Sequence, residues 1–138
     1  MSAAEAFYDT NILLYLLSAD VNKADRAEIL LAQGGNISVQ VLNEFAAVAI
    51  RKLGLSWAEV RETLDVVRSV CSIHPVTIET HDRAFAVAER YGFNFYDALI
   101  VAAALLAGCS TLYSEDMQAG QKIDGSLQIL NPFSVKLK

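Results

Sequence analysis

Five short runs of apolar and β-branched residues punctuate the chain: Ala6–Tyr8, Asn36–Val39, Ser72–Val76, Thr111–Tyr113 and Leu127–Leu130. Between them, apolar residues recur at helical spacing. Ser56 followed by Glu59 is a capping box, and after it Val60, Leu64, Val67, Val70 and Cys71 share one helical face. Thr77 is placed to cap a helix running to Tyr91, and Pro75 ends the strand before it. Gly34-Gly35, Gly54, Gly92 and Gly108 stand where helices should stop. Strands alternating with helices predict an α/β fold, a three-layer α/β/α sandwich around a mainly parallel sheet. Ligands of such folds gather at the carboxyl ends of the strands.

The 138 residues are enough for a single domain with its own core, spanning 1–138, and too few for two. Apolar residues make up 54% of the chain, somewhat more than an average domain carries. A small domain has much surface to cover, so part of this excess is expected at an interface, in a homodimer or against a partner chain. The net charge of −5 argues against a basic, sequence-independent nucleic-acid binder, but not against an enzyme with a local basic rim. The opening MSAAEAF lacks the basic and apolar regions of a signal peptide. The longest apolar run, Ala98–Ala107, is ten residues, short of a membrane span. Cys71 and Cys109 make no disulfide framework, and with His74 and His81 they show no zinc-ligand spacing. The expectation is a soluble cytoplasmic protein with no membrane partner.

Against this background four acids stand out. Phe-Tyr-Asp occurs twice, ending at Asp9 and Asp97, and each copy leads into a long apolar run. Glu44 lies within VQVLNEFAAVAI, and Asp116 follows the strand-like run ending at Tyr113. Burying a carboxylate costs several kcal/mol unless hydrogen bonds or a cation compensate. Four acids in such settings point to one shared destination, and a hard cation such as Mg²⁺ or Mn²⁺ is the usual one. Each acid also has a plainer reading. Asp9 is placed to be a helix N-cap, Asp97 to sit in a first turn where the helix dipole favours it, Glu44 to share a solvated stripe with Arg51, and Glu115-Asp116 to be an exposed turn. Cys71 and Cys109 read as core thiols, His74 as a strand-end residue and His81 as a surface helix residue. Asp9-Thr10-Asn11 resembles the aspartyl-phosphate motif of haloacid-dehalogenase phosphatases only superficially, because that motif needs an Asp where Asn11 stands.

The order D-T-N-x-L from Asp9, N-E-F around Glu44, Y-D-A-L-I-V-A-A-A from Tyr96 and S-E-D ending at Asp116 resembles the PIN-domain family, and within it the VapC-type toxins of bacterial toxin–antitoxin pairs. The likeness runs from Phe7 to the closing Leu130-Asn131-Pro132-Phe133. It implies a Mg²⁺- or Mn²⁺-dependent endoribonuclease with catalytic residues Asp9, Glu44, Asp97 and Asp116. The metal would be held by Asp9, Asp97 and Asp116, with Asn11 and Ser114 in support. Glu115 departs from relatives with a neutral or basic residue there, so Glu115 and Asp116 are both open as the ligand. The resemblance further implies an RNA substrate, products with 5′-phosphate and 3′-hydroxyl ends, a homodimer and a small antitoxin partner. Lys23, Arg26, Arg51, Lys52, Arg83 and Lys122 are the candidates for a basic rim. The alternatives are a non-catalytic PIN-like binding module and a metal-dependent phosphatase, the latter disfavoured by Asn11.

Overall fold

A computed structural model of the chain describes residues 5–133. Strand β1 (Ala6–Tyr8) is buried along its whole length and forms the centre of the molecule. The short helix α1 (Thr10–Leu14) follows at once, then a single 3₁₀ turn (Tyr15–Leu17) and α2 (Val21–Ala32). Next come β2 (Gly35–Ser38), α3 (Val39–Arg51), α4 (Trp57–Val70), β3 (Cys71–His74), α5 (Ile78–Tyr91) and α6 (Phe95–Leu106). The chain closes with β4 (Thr111–Tyr113), β5 (Lys122–Ile123) and β6 (Leu127–Leu130). The sheet has the order β3-β2-β1-β4-β6-β5. Every neighbouring pair is parallel except β5 with β6, and the six helices flank the sheet in a three-layer α/β/α arrangement.

The caps follow the local sequence. Ser56 and Glu59 form the reciprocal capping box of α4. Thr77 caps α5 with Thr80 as its partner, and Gly92 ends that helix in the left-handed conformation. Ser38 caps α3 and Asn94 caps α6. Helix α6 is apolar all round, and Ala98 to Ala104 are all buried. Four alanines among these seven residues let the helix lie close to its neighbours.

Three expectations need correction. Residues Cys71 and Val70 do not extend the buried face of α4. The helix ends at Val70, which is exposed, and Cys71 begins β3 with no intervening loop. A helical and an extended residue at that junction have the same apolar signature. Val39 belongs to α3, because the Ser38 cap starts the helix one residue early. Strand β3 stops at His74 and does not reach Val76. Strand β5 went unseen, since two residues carry no periodicity.

Candidate active site

The chain moves outward on one side of β1 through β2 and β3, then returns to place β4 on the other side. The crevice beyond the carboxyl ends of β1 and β4 is therefore the switch point of the sheet, where α/β folds bind their ligands. Asp9 is the first residue beyond β1, and its N–H continues the ladder to the carbonyl of Tyr113 at 3.0 Å. Ser114, Glu115 and Asp116 are the first three residues beyond β4. A cleft of about 570 Å³ opens there. Asp9, Glu44, Asp97 and Asp116 all line it, as do Asn11 and Arg51.

Asp9 is 3% exposed. Its Oδ1 accepts from the backbone N–H of Thr10 at 2.7 Å, so it does cap α1. Its Oδ2 accepts from the Ser114 hydroxyl at 2.7 Å and from Asn11 Nδ2 at 3.4 Å. The cap and the cleft thus use the two oxygens of one carboxylate. Burial pushes its pKa up to about 7, the Ser114 and Thr10 bonds pull against this, and the charges of Asp97 and Glu44 add to the rise.

Glu44 sits midway along α3 and is held at both oxygens. Thr10 Oγ1 donates to Oε1 and Gln40 Nε2 donates to Oε2, each at 2.8 Å. Asp97 is in the first turn of α6, clamped by Asn94. The Asn94 Oδ1 accepts from the Asp97 N–H at 2.9 Å, and its Nδ2 donates to Asp97 Oδ2 at 2.9 Å. Its pKa is raised by burial first, then by the charges of Glu44 and Asp116, against the Asn94 bond. Asp116 is exposed at the cleft mouth.

Glu115 faces elsewhere. Its carboxylate pairs with Lys23 Nζ at 3.0 Å and accepts a hydrogen bond from the Tyr15 hydroxyl. The ammonium also lies over the Tyr15 ring, which meets Phe133 edge to face. The Glu115 N–H donates to Asn11 Oδ1 at 3.3 Å, so Asn11 bridges Asp9 and the loop after β4. Glu115 has its pKa raised by burial and by the charge of Asp116, and it does not line the cleft. Of the six candidates for a basic rim, Arg51 lines the cleft. Lys23 is engaged by Glu115, and the other four lie outside the cleft lining.

The sequence reading missed Thr10 and Gln40, the two side chains that orient Glu44. Gln40 stands four residues before Glu44, one turn away on the same helix, a spacing at which side chains meet. Thr10 carried no such signal, since its partner is 34 residues distant. It also passed over Tyr96, which lines the cleft. His74 ends β3, its Nε2 2.8 Å from Asn36 Oδ1, and His81 lies on α5 against Phe85 and Phe95. Cys71 and Cys109 are buried free thiols with pKa values pushed up to about 11 by burial. The cleft therefore offers carboxylate and amide oxygens and no soft donor, a set suited to a hard cation. Among the described residues no three of its acids stand close enough together to form a ready-made metal-holding group.

The PIN domain family model matches residues 6–122. Several solved structures are similar in fold. A toxin–antitoxin complex from Klebsiella pneumoniae shares 24% identity and a TM-score of 0.70, over 92% of this chain and 97% of that one. VapC20 of Mycobacterium tuberculosis, described as a Sarcin-Ricin loop cleaving toxin, shares 21% and a TM-score of 0.67, over 80% of this chain and 89% of that one. VapBC2 of Rickettsia felis, bound to a fragment of its promoter DNA, shares 21% and a TM-score of 0.66, over 91% and 97%. No curated protein matches the chain significantly. Among the described residues, no helix is long and apolar enough to cross a membrane.

Proposed function

The chain belongs to the PIN domain family, and from that premise we propose that it is a Mg²⁺- or Mn²⁺-dependent endoribonuclease, the toxin of a type II toxin–antitoxin pair. One observation carries the reading: four acids from four separated segments line a single cleft at the switch point of the sheet. A non-catalytic binding module has no use for such a cluster. Burial raises the pKa values of Asp9 and Asp97, and the charges of the neighbouring acids add to the rise.

Asp9, Asp97 and Asp116 would hold the metal, with Glu44 facing the same space. A bound Mg²⁺ or Mn²⁺ lowers the pKa of its water and offsets charge on the phosphate under attack. The remaining residues position these groups. Ser114 and the Thr10 N–H fix the Asp9 carboxylate. Thr10 and Gln40 aim Glu44, and Asn94 aims Asp97. Lys23 and Tyr15 keep Glu115 turned away, which leaves Asp116 as the acid of this loop that serves the cleft. With its pKa pushed up to about 7, Asp9 is partly protonated near neutral pH, and a cation held there would favour the ionised carboxylate.

The apolar excess appears on two faces. Ile78 and Phe85 project from α5, and Ile29 and Val66 from α2 and α4. Beside Val66, a groove of about 550 Å³ is lined by Leu16, Leu17 and Leu55. A second copy of the chain and a small antitoxin are the partners these faces call for. The deciding assay is cleavage of total cellular RNA with Mg²⁺ or Mn²⁺, beside an Asp9→Asn control. Cleavage that needs the metal and is lost in the variant supports the reading. Intact RNA under all conditions overturns it.

A further inference from the structure

Tyr96 is 65% exposed and lines the same cleft as the four acids. It is the residue before Asp97, in the first turn of α6, where the Asn94 cap fixes the backbone. Among the described residues it has no hydrogen-bond, ion-pair or ring partner, whereas its neighbour Phe95 packs against His81 and Phe85. A large aromatic ring is thus held out by a rigid helix start, facing the cleft and touching no other ring. Phe85 and Ile78 are equally exposed, but neither lines the cleft.

The charges of the cleft say what such a ring is for. Four carboxylates line it, and Arg51 is the one cation among its lining residues. A polyanion entering there finds one protein cation, so contacts that do not depend on charge are needed beside it to position a nucleotide. Leu14, Ala47 and Val48 give the cleft apolar lining beside the ring. An unpaired nucleobase stacks on an exposed aromatic face whatever its identity, a contact worth about 1–3 kcal/mol on alanine substitution.

We propose that Tyr96 is the base-stacking residue of this cleft, taking an unpaired nucleobase beside the scissile phosphate, with Arg51 meeting a backbone phosphate. The inference rests on the ribonuclease reading and narrows it to a substrate that is single-stranded at the point of cleavage. It sets Tyr96 apart from the acids: they act on the phosphate, and it positions the nucleotide.

The experiment uses a single-stranded oligoribonucleotide that the wild type cleaves with Mn²⁺, with the cut mapped. A series is then made in which each nucleotide flanking the cut is replaced by an abasic one. Tyr96→Ala should lower kcat/KM about five- to 150-fold on the intact oligonucleotide, while Tyr96→Phe and Tyr96→Trp stay within about threefold of wild type. At one flanking position the abasic substrate should cost the wild type a similar factor and cost Tyr96→Ala almost nothing more. That coupling is the signature of stacking, and a structural defect would not produce it. The salt dependence should be shallow, with a logarithmic slope near −0.7, as for one phosphate neutralised on a single strand. A Tyr96→Ala enzyme as active as wild type, or one whose loss is the same on every abasic substrate, overturns the proposal and leaves the ribonuclease reading standing. Sedimentation that finds Tyr96→Ala altered in oligomeric state, without abasic coupling, assigns the ring to a second copy of the chain and also overturns it. A wild type that cleaves no RNA removes the ribonuclease reading, and this inference with it.

Discussion

At the scale of single residues, the Asp9 carboxyl carries the most consequence. Its pKa rises on folding from an ordinary 3.8 to about 7. Between those values the folded chain holds a proton that the unfolded chain has released, so stability falls as pH rises through that window and levels off above it. The slope reaches about 1.4 kcal/mol per pH unit for one group. In Asp9→Asn one of the two carboxylate acceptors becomes a donor, so the bond from Thr10 or from Ser114 is compromised, a cost of about 1 kcal/mol at every pH. The stability of the variant relative to wild type should therefore improve steadily from pH 4 to pH 7. Urea unfolding across that range checks it, and parallel curves for the two proteins would refute it. A second residue-scale prediction separates the neighbouring acids. Asp116→Asn should reduce RNA cleavage by more than about 100-fold and Glu115→Gln by no more than about 10–100-fold, because Glu115 acts on the site only through the loop it anchors. Initial rates at saturating Mn²⁺ distinguish them. The four acids were legible in the sequence because each carries a charge into an apolar stretch. That Asp116 rather than Glu115 lines the cleft was not, since Glu115 is held by Lys23 and Tyr15, 92 and 100 residues away along the chain.

Among the elements, β1 and β2 fit closely at Gly35. Gly35 has φ +145°, and a Cβ placed there would lie 2.5 Å from the Tyr8 ring. The Tyr8 hydroxyl donates to the carbonyls of Gly34 and Leu30, tying β1 to the end of α2, and the ring stacks on Tyr113 of β4. Gly35→Ala must therefore push Tyr8 aside or bend β2, and Tyr8 immediately precedes Asp9. We expect a loss of about 1–3 kcal/mol of stability together with reduced cleavage. Thermal melts and kinetics on the same preparation test it, and an unaltered melting temperature would contradict the packing described. The strands β1, β4 and β6 are visible in the sequence because short runs of apolar and β-branched residues mark them, buried throughout in β1 and alternately in β6. The end of β2 and the start of β3 were misplaced where a helix directly adjoins a strand, since apolar content does not change there. Strand β5 pairs through two residues, and nothing local announces it.

For the whole molecule, the carboxylate cleft predicts a response to cations. Mn²⁺ binding to the folded chain alone should raise its melting temperature, by an amount equivalent to about 2.7 kcal/mol at one hundred times the dissociation constant. Asp97→Asn should gain less. Melting curves in EDTA and in millimolar Mn²⁺ measure both, and a wild type indifferent to Mn²⁺ would count against a shared metal site. The exposed Ile78 and Phe85 lead us to expect a dimer, so sedimentation at micromolar concentration should exceed the monomer mass and Phe85→Glu should lower it. The arrangement of the sheet has a consequence in time as well as in space. Asp9 lies near the start of the chain, yet the Ser114 hydroxyl that fixes it comes 105 residues later. At about 5–20 residues per second, the ribosome takes roughly 5–20 s to bridge that interval. Through all of it the first strand lacks one of its two neighbours, and the acids cannot converge. On the ribonuclease reading proposed above, a nascent or prematurely terminated chain without Ser114 and Asp116 should therefore not cleave RNA.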